Sequence, residues 1–179
     1  MENYREAFAY WKSDPFFDEA TRAELAALTD EREIEDRFYR DLAFGTGGLR
    51  GVMGAGTNRM NRYTVRRATT GFAQFLLDTY GGAAKTRGVA IAYDSRNHSA
   101  EFAREAALTM AAAGIPAYLF TILSATPLLS FAVRHLGCAG GIVVTASHNP
   151  KEYNGYKAYD ETGCQLGLED AAAVIRRVE

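Results

Sequence analysis

A serine at the end of an apolar run is the residue whose surroundings most suggest chemistry. Residues 145–150 read TASHNP, and the β-branched run before them predicts a buried strand that ends just before Ser147. A serine hydroxyl needs a base or a stabilising charge to act as a nucleophile, and His148 and Lys157 are the nearby candidates. The Gly-x-Ser-x-Gly pattern of serine hydrolases is absent. Phosphoryl transfer fits better, because a phosphate on this serine would attract Lys157, Arg50 and a metal ion. The same residue types also form an ordinary turn, so both interpretations stay open.

A glycine-rich segment, residues 44–51, is the second candidate for binding a ligand. Two glycine patterns, at 45–47 and 54–56, resemble the start of a dinucleotide-binding fingerprint. Each lacks the third glycine, and neither lies between a predicted strand and a predicted helix, as that fingerprint requires. Residues 82–86 lack the glycine that a Walker loop places before its lysine. The backbone amides around Arg50 and its guanidinium could hold a phosphate, and a plain glycine-rich hairpin is the alternative.

A third polar group, Asp94-Ser95-Arg96, follows the predicted buried strand 89–93. If the strands are parallel, this group lies at the same sheet edge as Ser147, because ligands and loops gather at the carboxyl ends of strands. Arg96 would then contact a substrate phosphate or brace the neighbouring loop. A helix-capping turn is the simpler explanation of the same residues.

The remaining pattern predicts the elements that position these groups. Residues 2–43 are rich in helix-forming and acidic residues and predict two or three helices. From residue 44 onward, helices of 3.6-residue apolar spacing alternate with short apolar strands. We therefore expect a helical leader, 1–43, followed by an α/β domain, 44–179. Its fold should be a three-layer α/β/α arrangement around a mostly parallel, mixed sheet.

Composition narrows the classes of partner. The 20 basic and 22 acidic residues give a net charge of −2, which offers no electrostatic footprint for nucleic acid or an anionic membrane. The sequence contains no run of eighteen apolar residues, so it predicts no membrane-spanning helix. The two cysteines match neither a disulfide framework nor a metal spacing, so a reducing compartment is expected. These features favour a cytoplasmic location, with no nucleic-acid or membrane partner.

Two motifs together resemble a known family. Residues 145–150, with YNGYK at 153–157, resemble the phosphoserine loop of the α-D-phosphohexomutase superfamily, the phosphoglucomutases and phosphomannomutases. Residues 44–51, FGTGGLRG, are similar to the arginine loop of the same family's first domain, in the variant of the phosphoglucomutase and phosphopentomutase subgroup. The resemblance covers the chain from Phe44 to its end, and the helical leader before it is similar to leaders in the same subgroup. It corresponds to the first domain alone.

The resemblance implies a role for each motif residue. Ser147 would carry a phosphoryl group that moves between C1 and C6 (or C5) of a sugar phosphate through a sugar bisphosphate. Lys157 would handle protons and Arg50 would stabilise the transferred charge, while His148 and Asn149 would shape the loop. The expected catalytic residues are Ser147, Lys157 and His148, and the expected substrate or phosphate-binding residues are Arg50, Thr46, Gly47, Asn149 and Arg96.

The resemblance also implies what this chain does not contain. Mg²⁺ would be held by a phosphate oxygen on Ser147 and by aspartates of a second domain, and no Asp-x-Asp-x-Asp sequence occurs here. Sugar selection and distal phosphate binding would belong to the third and fourth domains. A sugar 1,6-bisphosphate is the expected activator, and glucose phosphate is favoured over mannose or pentose phosphates as substrate. The alternatives are a non-catalytic module that binds sugar phosphates or anions, and a structural fragment that is inactive alone.

Overall fold

Three helices form the amino-terminal part of the chain in the computed structural model, which describes residues 4–45 and 48–178. They are α1 (Tyr4–Ser13), α2 (Glu19–Ala26) and α3 (Glu31–Phe38). The carboxylates of Asp18 and Asp30 accept hydrogen bonds from backbone amides at the starts of α2 and α3, which explains where these helices begin. The leader is therefore helical as predicted, while the domain boundary after residue 43 stays a prediction.

The rest of the described chain alternates strands and helices. In chain order the elements are β1 (Phe44–Gly45), β2 (Gly48–Val52), α4 (Arg62–Tyr80), α5 (Gly82–Arg87), β3 (Val89–Tyr93), α6 (Ser99–Ala112), β4 (Ala117–Leu119), α7 (Thr126–His135), β5 (Gly140–Val144), β6 (Tyr153–Tyr159) and α8 (Leu168–Val178). The predicted α/β class, with helices flanking a mixed sheet, is confirmed.

The sheet contains more antiparallel pairing than the sequence indicated. Its strand order is β1-β2-β6-β5-β3-β4, in which β3 pairs in parallel with β4 and β5. The pairs β1–β2, β2–β6 and β5–β6 are antiparallel. The reason is connectivity, because the chain passes from β5 into β6 through a short loop with no crossover helix, and such a loop can only join antiparallel strands. The description "mostly parallel" therefore applies only to the half formed by β5, β3 and β4.

The two faces of the sheet are buried by different helices. Val89 and Ile91 of β3 lie in the cluster that includes side chains of α4, α6 and α8. Ala90 and Ala92, which alternate with them, lie in a second cluster with Leu129 and Val133 of α7. This alternation is the period of two expected of a strand buried on both faces, and it produces the three predicted layers.

The leader packs against the domain through an aromatic cluster. Its buried members are Trp11, Phe17, Leu25, Phe38 and Ala55. The rings of Trp11 and Phe17 stack with their centroids 4.3 Å apart, and the Tyr63 hydroxyl of α4 accepts a hydrogen bond of 2.8 Å from the Asp18 amide. The leader is thus fixed to α4 by both apolar and polar contacts. Within the described residues, every helix is too short or too polar to cross a membrane.

Candidate active site

Ser147 lies on an exposed turn directly after β5. Its φ angle is +55°, in the left-handed region that few residues other than glycine adopt. The Ser147 amide donates a hydrogen bond of 3.1 Å to the Thr145 hydroxyl, which holds the turn against the end of the strand. Ser147 also lines a cleft of about 420 Å³, together with residues 94–97, Asn149 and Lys151. The hydroxyl predicted to be the nucleophile is therefore solvent-accessible and its backbone is constrained.

Arg96 holds the loop that carries Ser147. Its Nη2 donates to the carbonyl oxygens of Ser147 and Asn149 at 2.7 and 2.6 Å. Its Nη1 donates to those of Pro150 and Tyr153 at 2.9 and 3.1 Å. Both terminal nitrogens are thus directed at loop carbonyls, an arrangement that supports the bracing role left open by the sequence. A direct contact of Arg96 with substrate phosphate stays a prediction.

A partly buried polar network supports Arg96. The Asp94 carboxylate accepts hydrogen bonds from the Arg96 amide at 3.0 Å and from the Ser99 hydroxyl at 2.7 Å. The Asn154 amide group, fully buried in β6, donates to the Ser99 hydroxyl at 3.0 Å. Sequence reasoning missed Asn154, although a polar amide within a strand rich in tyrosine was the available signal.

Arg50 and Lys157 lie on neighbouring strands beside this loop. Arg50 of β2 is opposite Gly155 of β6, and Lys157 is opposite Gly48 of β2 and Val143 of β5. Residues directly opposite one another share a face of the sheet. Both cations therefore lie on the same face as α7, which covers the part of that face formed by β3 and β5. Because each cation is opposite a glycine, the surface between them has little side-chain bulk. The Thr145 amide donates to the Gly155 carbonyl at 3.0 Å, which brings the Ser147 loop to this point.

The environment of Lys157 suits a group that exchanges protons. Partial burial lowers the pKa of its ammonium below the ordinary lysine value, and the positive charge of Arg50 lowers that pKa further. A lowered pKa increases the neutral fraction of Lys157 near pH 7, and a neutral amine can accept a proton. At a pH between the pKa of Lys157 in the folded chain and its higher pKa in the unfolded chain, the unfolded chain binds more protons than the folded one. The contribution of Lys157 to the free energy of unfolding therefore rises with pH across that window.

Removing the Arg50 charge should raise the pKa of Lys157. We expect Arg50→Ala to move this pKa back toward its ordinary value while burial keeps it below, and to shrink the pH window in which Lys157 changes stability. An NMR titration that follows the side-chain carbon next to the Lys157 ammonium measures the effect. Arg66→Ala is the matched control, because Arg66 pairs with Glu105 instead. An unchanged Lys157 titration in Arg50→Ala would contradict the proposed electrostatic coupling.

The other predicted site residues are placed as follows. His148 is exposed and has no hydrogen-bond partner among the described residues. Asn149 lines the cleft, while its side-chain oxygen is buried and has no hydrogen-bond partner within that set. Thr46 and Gly47 lie outside the described residues. Lys151, which sequence reasoning missed, adds a cation to the cleft, and its position directly after the TASHNP motif was the only signal.

A magnesium site is not complete within the described residues. They contain no group of three or more His, Cys, Asp and Glu side chains that could hold a metal ion. Asp94, the carboxylate in the cleft, is already bonded to the Arg96 amide and the Ser99 hydroxyl. Mg²⁺ prefers several oxygen ligands in octahedral geometry. These side chains therefore do not fit a magnesium ion by themselves.

Comparisons with known proteins give a consistent result. Residues 41–179 match the family model described as phosphoglucomutase/phosphomannomutase, alpha/beta/alpha domain I. The chain is 40% identical over 162 residues to a phosphopentomutase of Mus musculus, covering 87% of this chain and 26% of that protein. It is 42% identical over 144 residues to a phosphoglucomutase of Staphylococcus haemolyticus, covering 80% and 26%. The chain thus spans about a quarter of the length of these relatives.

Solved structures share the fold. A phosphoglucomutase/phosphomannomutase family protein from Burkholderia thailandensis matches with a TM-score of 0.62 and 25% identity, over 75% of this chain and 29% of that one. A structure from Thermus thermophilus matches with a TM-score of 0.69 and 36% identity, over 78% of this chain and 30% of the other. The α/β/α arrangement described above is therefore the one these proteins use.

Proposed function

Because the chain belongs to the phosphoglucomutase/phosphomannomutase family, as its α/β/α domain I, we propose that it carries the phosphoserine nucleophile of a phosphosugar mutase. The observation that carries the proposal is the placement of Ser147. Its exposed turn, held by Arg96, follows Thr145, which is hydrogen-bonded to Gly155, and Gly155 is opposite Arg50. A phosphate on Ser147 would thus stand beside two cationic side chains, Arg50 and Lys157.

The proposed chemistry is two phosphoryl transfers in sequence. In the first, the bond between phosphorus and the Ser147 oxygen breaks, and a new bond forms to a sugar hydroxyl. The proton of that hydroxyl passes by way of neutral Lys157 to the released Ser147 oxygen, and the product is a sugar bisphosphate. After the sugar reorients, Lys157 takes the proton of the Ser147 hydroxyl, the Ser147 oxygen accepts the other phosphoryl group, and Lys157 passes the proton to the sugar oxygen that is released. Arg50 stabilises the charge on the transferred group in both directions. His148 and Asn149 shape the loop around Ser147.

We favour glucose as the sugar, with phosphate moving between C1 and C6. Glucose 1,6-bisphosphate would then be both the intermediate and the activator that loads Ser147. The names of the similar proteins support a sugar phosphate as the substrate but do not distinguish a hexose from a pentose. A phosphoglucomutase and a phosphopentomutase match this chain at similar identity. A pentose phosphate, with transfer between C1 and C5, is therefore the first competitor.

The chemistry needs groups that these residues do not supply. We propose that the rest of a longer enzyme, three further domains in the family pattern, binds the substrate sugar and completes the magnesium site. Mg²⁺ would there spread the negative charge of the phosphate. The small share of the relatives' length that this chain covers supports this proposal. The outer face of α7 also supports the proposal of further domains. Leu128, Phe131 and Leu136 are exposed there, and another domain would bury them.

The test is an assay of the full-length protein with three sugars. We expect turnover with glucose 1-phosphate to exceed that with mannose 1-phosphate or ribose 1-phosphate, in the presence of Mg²⁺ and the matching bisphosphate. Peptide mass spectrometry should place one phosphate on Ser147 after treatment with glucose 1,6-bisphosphate. This chain alone should show no turnover. Binding of sugar phosphates without phosphorylation of Ser147 would favour the non-catalytic module, and neither binding nor turnover would favour a purely structural role.

A further inference from the structure

The segment that follows β2 links the two halves of the candidate site. Residues 53–60, called here the return loop, fold back on the strand that carries Arg50. The Met60 amide donates to the Val52 carbonyl at 2.8 Å. The Met53 amide donates to the Glu152 carbonyl, also at 2.8 Å, at the end of the loop that carries Ser147. Movement of the return loop would therefore be transmitted both to β2, which carries Arg50, and to the loop that carries Ser147.

Two leader side chains hold the centre of the return loop. Oε1 of Glu24, on α2, accepts a hydrogen bond of 3.1 Å from the Ala55 amide. Nη1 of Arg37, on α3, donates one of 3.1 Å to the Ala55 carbonyl. Arg37 and Glu24 also pair with each other, and Arg37 pairs with Glu33. Both backbone groups of the buried Ala55 are thus satisfied by one ion pair of the leader.

The glycines on either side of Ala55 make this contact possible. A Cβ atom at Gly54 would lie 3.1 Å from Glu24 Oε1 and 3.2 Å from Arg37 Nη1. A Cβ atom at Gly56 would lie 2.7 Å from the Arg37 carbonyl oxygen, and its φ of +133° disfavours other residues. The Gly54-x-Gly56 pattern, which fails as a dinucleotide fingerprint, is therefore explained by the close approach of the leader.

Further bonds fix the remainder of the return loop to the leader. The Asn58 amide donates to the Arg37 carbonyl at 2.9 Å, and the Thr57 hydroxyl donates to the Arg40 carbonyl at 2.7 Å. Arg59 pairs with Asp36 at 2.6 Å. The match to the family model begins at residue 41, so these leader residues lie outside the matched domain.

We infer that the helical leader positions Arg50 for phosphoryl transfer, with Arg37 and Glu24 acting as positioning residues through the return loop. The inference rests on the proposed function, in which Arg50 stabilises the transferred group. Neither residue lines the cleft that contains Ser147. Their effect on the reaction comes from holding β2 and the Ser147 loop in register with each other.

Removing the Arg37 side chain should lower the rate of chemistry more than it weakens substrate binding. Because a displacement of about 1 Å at a reacting group can reduce the rate about a hundredfold, we expect Arg37→Ala to lower kcat roughly tenfold or more and to change KM less than about threefold. Glu24→Gln, which keeps an acceptor for the Ala55 amide but loses the charge, should have a smaller effect of the same kind. Arg37→Lys should restore part of kcat, since it keeps the charge next to Glu24.

Hydrogen exchange of the full-length protein tests the same point without relying on activity. We expect Arg37→Ala to increase exchange of the amides in 48–60 while the amides of β3 and β5 keep their protection. Arg5→Ala is the matched control, because it removes an exposed ion pair of the leader with Glu31, away from the return loop, and it should alter neither readout.

Each outcome decides one of the two claims. Unchanged exchange of residues 48–60 in Arg37→Ala would overturn the inference, as would a normal kcat in a folded variant. If the unaltered protein shows no mutase activity, the proposed function fails, while the exchange result still decides whether the leader fixes β2. If Arg37→Ala does not fold, Glu24→Gln carries both measurements.

Discussion

Exchange of Ser147 for alanine or glycine is expected to abolish mutase turnover of the full-length protein, with a loss of at least about ten-thousandfold. Neither residue has a hydroxyl that can carry the phosphoryl group. The two variants should differ in stability, because residue 147 has a φ of +55°. Alanine has a steric cost in that conformation and glycine does not, so the glycine variant should be more stable than the alanine variant by about 1 kcal/mol.

Two measurements check this pair of variants. A coupled mutase assay with phosphopeptide mapping reports the chemistry, and urea unfolding reports the stability. Ser95→Ala is a suitable control, because Ser95 lines the same cleft but has no proposed part in the transfer. Residual turnover near that of the unaltered enzyme in Ser147→Ala would exclude Ser147 as the nucleophile. Equal stability of the alanine and glycine variants would argue against the left-handed turn.

Exchange of Gly155 for alanine is the second change for which we expect a large effect. A Cβ atom there would lie 2.6 Å from the Thr145 carbonyl oxygen and 3.1 Å from that of Leu49. Both atoms belong to the backbone, so neither can rotate away, and β5 or β2 must shift. We expect a loss of stability of about 2–3 kcal/mol. We also expect a fall in phosphorylation of Ser147 of about a hundredfold, because the Ser147 loop and Arg50 flank this point.

Gly167→Ala separates this steric effect from the general effect of adding a methyl group. A Cβ atom at Gly167 would meet no atom within 4 Å in the described part of the chain. Its stability should therefore change by less than about 0.5 kcal/mol, and phosphorylation should be normal. Urea unfolding of both variants and the rate of phosphorylation by glucose 1,6-bisphosphate provide the comparison. A Gly155→Ala protein as stable as Gly167→Ala would show that the strands yield easily at this point.

The sequence predicted the order of the elements well, because apolar periodicity is a local property. The strand 89–93 and the strand before Ser147 both lie where their patterns place them. The direction of β6 was not predictable in the same way, since strand direction depends on the connection and not on periodicity. The site residues of the two loops came from motif resemblance, whereas physical patterns alone left an ordinary turn and a hairpin as alternatives.

Other parts of the site depend on contacts between residues far apart in the sequence. Arg96 was recognised as a candidate, but only the structure shows that its guanidinium meets the carbonyls of the Ser147 loop. Asn154, although it lies in the YNGYK segment, and Lys151, which follows TASHNP, were given no role because their contacts are made with residues far away in the sequence. The contact of Arg37 with Ala55 joins residues whose types are common on any surface, so no sequence pattern distinguishes it.

The strand order also determines when the site can form during synthesis. Ser147 and Lys157 belong to one hairpin and are about ten residues apart, so the entropy lost on closing their loop is small. Arg50 lies on β2, whose partners among the described residues are the short β1 and β6, a strand about 100 residues later in the chain. Contacts of such high sequence separation slow folding. During synthesis on a ribosome, β2 emerges early but can pair fully only after β6 has emerged. Arg50 is therefore made before Lys157 but reaches its place in the site after it.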